Sequence, residues 1–277
     1  MTMKLRGKTA LVPGASRPVG RAIARSLADE GASLVLPYHD WPESTSEMIE
    51  EFNLRGADFL SFSADLTRED HIEEMMARVH SRFGRLHYLV NNIERGGMPI
   101  VHGAYTHEHN QGQWDLEVNT TLRAKWLLFH HSLPLLKKAD SAAVVNISSI
   151  SAMVGRSGPA ELLFNDGYSA ANRGISTFTE TWAREAAPDI RVNELMLGLV
   201  RYRHGENTRG WSTLSETDKN RLYDHILLKR TGLPTEVADA VLFLLHQATY
   251  MTGTILRLDG GYVLGGEKTG SLPAGIL

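Results

Sequence analysis

The sequence predicts an α/β fold: one Rossmann-like, doubly wound parallel sheet of about seven strands, with helices on both faces. Three observations predict it. Short apolar runs alternate with longer segments of helical periodicity along the whole chain. The runs are too uniformly apolar to leave one face in water, as expected of strands covered on both sides. The first run also enters the first helix through a glycine-containing loop, PGASRPVG at 13–20, the setting in which folds of this class bind phosphate.

Each element has its reason. KTALVP at 8–13 reads as the first strand. VGRAIARSLADEG at 19–31 reads as a helix, because Ile23, Leu27 and Ala28 fall on one face. SLVLPY at 33–38 is a strand and 43–55 a helix. DFLSFS at 58–63 is a strand before a helix over 68–84, where Ile72, Met75, Met76 and Val79 have helical spacing. LHYLVN at 86–91 is a strand, followed by a loop rich in glycine and histidine and a long helix around 112–137. AAVVNISS at 142–149 is a strand, and the helix after Tyr168 runs to about Ala186. IRVNELM at 190–196 is a strand, then a polar loop, a helix at 235–246, and a closing strand within 253–261. No linker, repeat or low-complexity run interrupts the pattern, so one nucleotide-binding domain over 1–277 is expected. The tail at 264–277 follows the last strand and is left as a disordered end or a contact with a neighbouring subunit.

Bulk numbers exclude several function classes. The chain has 277 residues, 42% hydrophobic and 22% charged, with a net charge of −3. Nothing there favours nucleic acid or a membrane surface as partner. Cysteine is absent, which removes disulfides, thiolate catalysis and Cys-ligated zinc. His102, His107 and His109 lie in a polar loop and read as solvated side chains, so no metal is expected. No run is long enough to span a membrane and no signal peptide is apparent, which points to the cytoplasm.

In the first loop, Gly14 and Gly20 suit a tight turn and close approach to a pyrophosphate. Pro18 stands between them; it is welcome at a helix start but removes one N–H donor. With these motifs the chain resembles the short-chain dehydrogenase/reductase family over residues 5–264. PGASRPVG resembles Thr-Gly-x-x-x-Gly-x-Gly, ADL at 64–66 the adenine-contacting Asp-hydrophobic pair, and NNIE at 91–94 Asn-Asn-Ala-Gly. VNTT at 118–121 carries the helix asparagine, NISS at 146–149 the serine, and YSAAN at 168–172 stands where Tyr-x-x-x-Lys belongs. IRVNELMLGLV at 190–200 resembles Arg-Val-Asn-x-x-x-Pro-Gly. The departures are Pro13, Pro18, Ile93, Glu94, Leu197 and, above all, Asn172 in place of the lysine; residues 139–218 contain no lysine at all.

The resemblance implies a cofactor site of Gly14, Ser16, Arg17, Val19, Gly20, Tyr38, His39, Asp65, Leu66, Asn92, Ile93, Asn172, Gly198 and Val200. The second strand ends on Tyr38 rather than an acid, and Arg17 and His39 could face a 2′-phosphate, so NADP is favoured. Asp40 keeps NAD as the alternative. The resemblance also implies a catalytic set. Ser149 would bind a substrate carbonyl, Tyr168 would give or take the proton, and Asn119 would hold a relay water. Asn172 would keep the place on the ribose without the charge. Ser148 and Ser151 remain alternatives to Ser149, because the segment between serine and tyrosine is longer than the family usually shows. A tyrosine without a cationic neighbour titrates near pH ~10, which favours reduction of a carbonyl, or of a pterin-like C=N bond, over alcohol oxidation.

The loop within 198–232 would cover a small-molecule substrate. Its Arg201, Arg203, Arg209, Tyr202 and Trp211 suit an anionic or flat aromatic ligand, or form a basic lid with no such role. The stripes at 126–136 and 178–183 would serve core and subunit packing in a dimer or tetramer. The competing reading is an SDR-like cofactor-binding protein with impaired catalysis, acting as sensor, scaffold or partner subunit.

Overall fold

The structure, a computed structural model, describes residues 4–94, 112–266, 270 and 275. Seven strands make one parallel sheet: β1 (Thr9–Leu11), β2 (Ser33–Tyr38), β3 (Phe59–Ser63), β4 (Tyr88–Asn91), β5 (Ala142–Ser149), β6 (Ile190–Leu197) and β7 (Ile255–Leu258). Their order is β3-β2-β1-β4-β5-β6-β7, so the chain reverses its direction of travel between β1 and β4. A crevice opens there beyond the carboxyl ends of the strands, the place where such sheets bind ligands.

The helices are α1 (Pro18–Asp29), α2 (Pro42–Leu54), α3 (Glu69–Phe83), α4 (Gln113–Glu117), α5 (Ala124–Leu136), α6 (Ser151–Val154), α7 (Asp166–Ala186), α8 (Arg209–Ser212), α9 (Glu216–His225) and α10 (Pro234–Leu242). The period of two along a strand divides the core. On β5, Ala143, Val145 and Ile147 pack with α1, α2 and α10, while Ala142 and Val144 pack with α3, α5 and α7. This is why the run is apolar throughout, every residue of β5 being buried.

The structure refines the sequence reading in three places. The long segment before β5 is not one α-helix: Val118–Arg123 is a π-helical turn between α4 and α5. The run at 235–246 likewise passes from α10 into a π turn at Phe243–Gln247. Arg191 ties that end down, donating to the carbonyls of Leu244, Leu245 and Ala248 at 2.7–2.9 Å. The polar loop after β6 holds α8 and α9, whose Trp211, Leu222 and Ile226 join Ile150, Phe164, Tyr168 and Tyr262 in a third apolar cluster. Those helices are too short and polar for periodicity to reveal.

The aromatic stripes serve the chain's own core first. Trp182 stacks on Phe129, with centroids 4.2 Å apart and planes 6° from parallel, and also on Phe178. Trp126 remains outside, 42% exposed. Among the described residues, no helix is long and apolar enough to cross a membrane. His102, His107 and His109, like most of the tail, lie outside the described residues.

Candidate active site

The phosphate loop is shaped by backbone contacts. Gly14 has φ +71°, a conformation that L side chains rarely adopt. A Cβ on Gly20 would lie 2.3 Å from the Gly14 carbonyl oxygen and 2.8 Å from Asn92 Nδ2, so only glycine lets α1 start this close to the loop. Asn92 donates to the Pro13 carbonyl at 3.2 Å and so braces the loop from β4. Arg21 donates to the Ser16 carbonyl at 2.9 Å from the other side. Pro18 opens α1, leaving Val19 and Gly20 as the amides its first turn can present.

A cleft of about 240 Å³ opens between this loop and the end of β2; Gly14, Ser16, Arg17, Tyr38, His39 and Asp65 are among its walls. Arg17 lies over the Trp41 ring, 4.1 Å from its centroid, at the point where β2 has already ended on Tyr38. Leu66 and Ile93 line the same cleft, and so does Asp40. A second hollow of about 100 Å³ continues past Val19 and Asn92 to Glu94, Tyr202 and Arg203. The loop therefore fits a dinucleotide: its glycines are required by close approach, and the cleft runs along it from an aromatic end toward Glu94.

Gly198 and Val200, two of the expected cofactor contacts, also have a packing reason. A Cβ on Gly198 would meet the Asp259 Cα at 2.6 Å. Val200 is buried, and its backbone exchanges hydrogen bonds with Arg203 at 3.0 and 2.8 Å.

At the carboxyl ends of β5 and β6 the structure brings Ser149 and Tyr168 together. Tyr168 is in the first turn of α7, whose Asn165 cap accepts from its backbone N–H at 2.8 Å. Its phenol is buried and donates to Glu94 at 3.0 Å. Burial and the Glu94 carboxylate push the phenol's pKa up; hydrogen bonds from Arg203 and Ser149 oppose them without prevailing. Ser148 is spent elsewhere, its hydroxyl donating to Glu194. Ser151 is in α6, its backbone N–H donating to the Ser149 hydroxyl at 3.2 Å. Asn119 lies in the π turn beside α7.

Asn172 does not reach outward. Its amide nitrogen donates to the Tyr168 carbonyl at 2.9 Å, and its Oδ1 is buried with no partner. An orphaned acceptor beside the tyrosine helix suits a ribose hydroxyl donor. The charges come from Arg203, which the sequence offered only as one of several loop residues for an anionic ligand, and from Glu94 and Lys125, which it did not assign to the site. Arg203, on the loop after β6, pairs with Glu94 and donates to the Ser148 carbonyl at 3.3 Å. Burial would raise the Glu94 carboxyl, but Arg203 foremost outweighs it and holds the group below its usual range. Lys125 on α5 is 1% exposed; burial pulls its pKa down to about 7, and Glu94 and Glu194 resist that fall. Glu94 was visible as a departure from Asn-Asn-Ala-Gly, and Arg203 as one of several loop arginines. Lys125 is hidden in the apolar run AKWLLF.

Comparison with known proteins bears on the family and the fold. A family model described as enoyl-(acyl carrier protein) reductase matches residues 14–263. The chain is 31% identical over 256 residues to the 3-oxoacyl-(acyl-carrier-protein) reductase of Staphylococcus epidermidis, covering 92% of this chain and 98% of that protein. It is 32% identical over 271 residues to glucose 1-dehydrogenase 2 of Bacillus subtilis, covering 95% and 98%. Among solved structures, a glucose/ribitol-type short-chain dehydrogenase/reductase of Brucella melitensis superposes with a TM-score of 0.77 at 26% identity, covering 95% of this chain and 99% of that one.

Proposed function

Since this chain belongs to the short-chain dehydrogenase/reductase family, and is thus an oxidoreductase using a nicotinamide dinucleotide, we propose that it is an NADP(H)-preferring carbonyl reductase with Tyr168 as proton donor. The bound nicotinamide supplies the hydride. The observation that supports the direction is geometric: Tyr168 is a buried neutral phenol whose O–H is in use as a donor, to Glu94 at 3.0 Å. A phenol that keeps its proton is a poor base; it can still donate, though a raised pKa makes the donation slower. Ser149, beside the phenol, orients the carbonyl oxygen toward it. Asn119 holds the relay water and Asn172 Oδ1 accepts from the ribose.

Support for NADP comes from Arg17, a permanent cation at the aromatic end of the cleft, where β2 presents Tyr38 rather than an acid. Glu94 lines both hollows and would lie next to the reacting end of the dinucleotide. We further propose a homo-oligomer formed through the outer faces of α5 and α7, in a cytoplasmic enzyme.

The test is NADPH oxidation with a panel of ketones and aldehydes, alongside nucleotide binding followed by NADPH fluorescence. Tyr168→Phe should lose about 10²- to 10⁴-fold in turnover while still binding NADPH. Turnover that survives in Tyr168→Phe would remove the tyrosine from the mechanism. Binding of NADPH with no reduction of any carbonyl would favour a non-catalytic sensor.

A further inference from the structure

The Glu94–Arg203 pair poses a problem for catalysis, and its solution names a substrate class. Tyr168 must direct its O–H at the substrate, yet here it donates to Glu94 at 3.0 Å. The proton is available only if Glu94 gives up that hydrogen bond. Glu94, however, is also the counter-ion of Arg203, whose side chain is 5% exposed. A guanidinium does not shed its proton, and a buried cation stripped of its anion is strongly destabilised. Whatever displaces Glu94 must therefore offer Arg203 another anion.

Arg203 is held so that it can accept one. The Val200 and Arg203 backbones hydrogen-bond to each other. Tyr202 and His204 on either side take left-handed φ values of 66° and 58°, unusual for residues other than glycine. A Cβ on Gly205 would come within 2.7 Å of the Val200 carbonyl oxygen, so the turn is tight. Its Nη2 lies 3.5 Å from the Tyr168 oxygen, and its Nε is buried without a hydrogen-bond partner. Rings pack around the phenol: the His204 and Tyr168 centroids are 4.9 Å apart, and Phe164 is 6.1 Å from Tyr168. Burial brings the His204 pKa down to about 4, so it adds no second cation at neutral pH.

Building on the reductase reading, we infer that the substrate brings the anion itself: it is an oxo acid whose carboxylate lies one or two carbons from the carbonyl. Arg203 Nη2 and the Tyr168 oxygen lie 3.5 Å apart, close enough for each to reach, at about 2.8 Å, one of two neighbouring acceptors. The carbonyl and carboxylate oxygens of a short oxo acid are such a pair. Tyr168 meets the carbonyl and Arg203 the carboxylate, with the otherwise unmet Nε available for a second bond. Glu94 occupies the carboxylate's place until the substrate arrives.

The experiment measures kcat/KM with NADPH for 2-oxobutyrate, phenylpyruvate and acetoacetate against their methyl esters, in wild type, Arg203→Gln, Arg203→Lys and Glu94→Gln. Wild type should prefer at least one acid to its ester by about 100-fold, the worth of a charged hydrogen bond. That preference should vanish in Arg203→Gln and return in part in Arg203→Lys. Glu94→Gln removes the internal competitor and should lower KM for the acid more than for the ester. Arg203→Lys, which keeps a cation opposite Glu94, keeps the test open should Arg203→Gln fail to fold. Esters reduced as well as acids, or acids ignored while neutral carbonyls turn over, would overturn the inference and leave the reductase reading intact. A loss of NADPH affinity in Arg203→Gln as large as the loss of acid turnover would assign the anion to the cofactor's phosphate and also overturn it. If NADPH binds and no carbonyl is reduced, the reductase reading falls and the inference with it.

Discussion

His87 shows how a single buried ring ties stability to pH. Its Nδ1 accepts the Thr9 backbone N–H at 3.0 Å, which requires that nitrogen to be unprotonated. Burial, with Lys8 next in weight, brings the folded pKa to about 4 against an ordinary 6.5. Between those values the unfolded chain binds a proton that the folded chain refuses. Stability therefore falls as pH drops from about 6.5 toward 4, by at most about 3 kcal/mol from this residue. Urea midpoints at pH 7 and pH 5 should differ, and His87→Gln should flatten the difference; an unchanged slope would show that other groups set it. At the same scale, Tyr168 could be picked out by the stretch YSAAN, while Ser149 was one of three candidates because the segment between them is long. The Glu94–Arg203 pair was not legible. Its members are 109 residues apart, and no local pattern links a strand end to a distant loop.

At the scale of elements, the phosphate loop carries the most specific prediction. Gly20→Ala would place a methyl against the Gly14 carbonyl and the Asn92 amide. The loop would have to move away from α1, and a displacement of this kind at a binding site costs about 10- to 100-fold. NADPH affinity should fall by that factor in a fluorescence titration, with the far-UV circular dichroism spectrum unchanged. Unaltered affinity would mean that the dinucleotide does not use this loop. The elements themselves were readable wherever a face is buried. Periodicity located α1 and α3 because each lays an apolar stripe on the sheet. It missed α8 and α9, which pack through a few side chains at the ends of the strands. It also ran through both π turns, since one extra residue in a turn leaves the apolar pattern almost intact.

At the scale of the whole molecule, the outer surface of the α5–α7 pair is the question. Phe129, Trp182 and Phe178 are committed to stacking within the chain, while Trp126 stays 42% exposed on the same helix as Phe129. If subunits meet there, Trp126→Glu should shift the mass measured by light scattering from dimer or tetramer to monomer; an unchanged mass would move the interface elsewhere. The doubly wound parallel sheet was legible from alternation, because a sheet buried on both sides leaves few other arrangements; its strand order came with the structure. What subunits contribute to one another was not legible, since an exposed tryptophan looks the same in sequence as a buried one. The Glu94–Arg203 pair also has a consequence in time. While it bridges the site, the carbonyl's place on Tyr168 is taken. Glu94 also lines the hollow that runs along the phosphate loop, so a dinucleotide can settle there while the pair is still closed, and the substrate that displaces Glu94 follows it. Steady-state kinetics should accordingly show compulsory order, NADPH leading and NADP departing last. NADP should then inhibit competitively against NADPH and noncompetitively against the carbonyl, and in Glu94→Gln the two substrates should approach random entry.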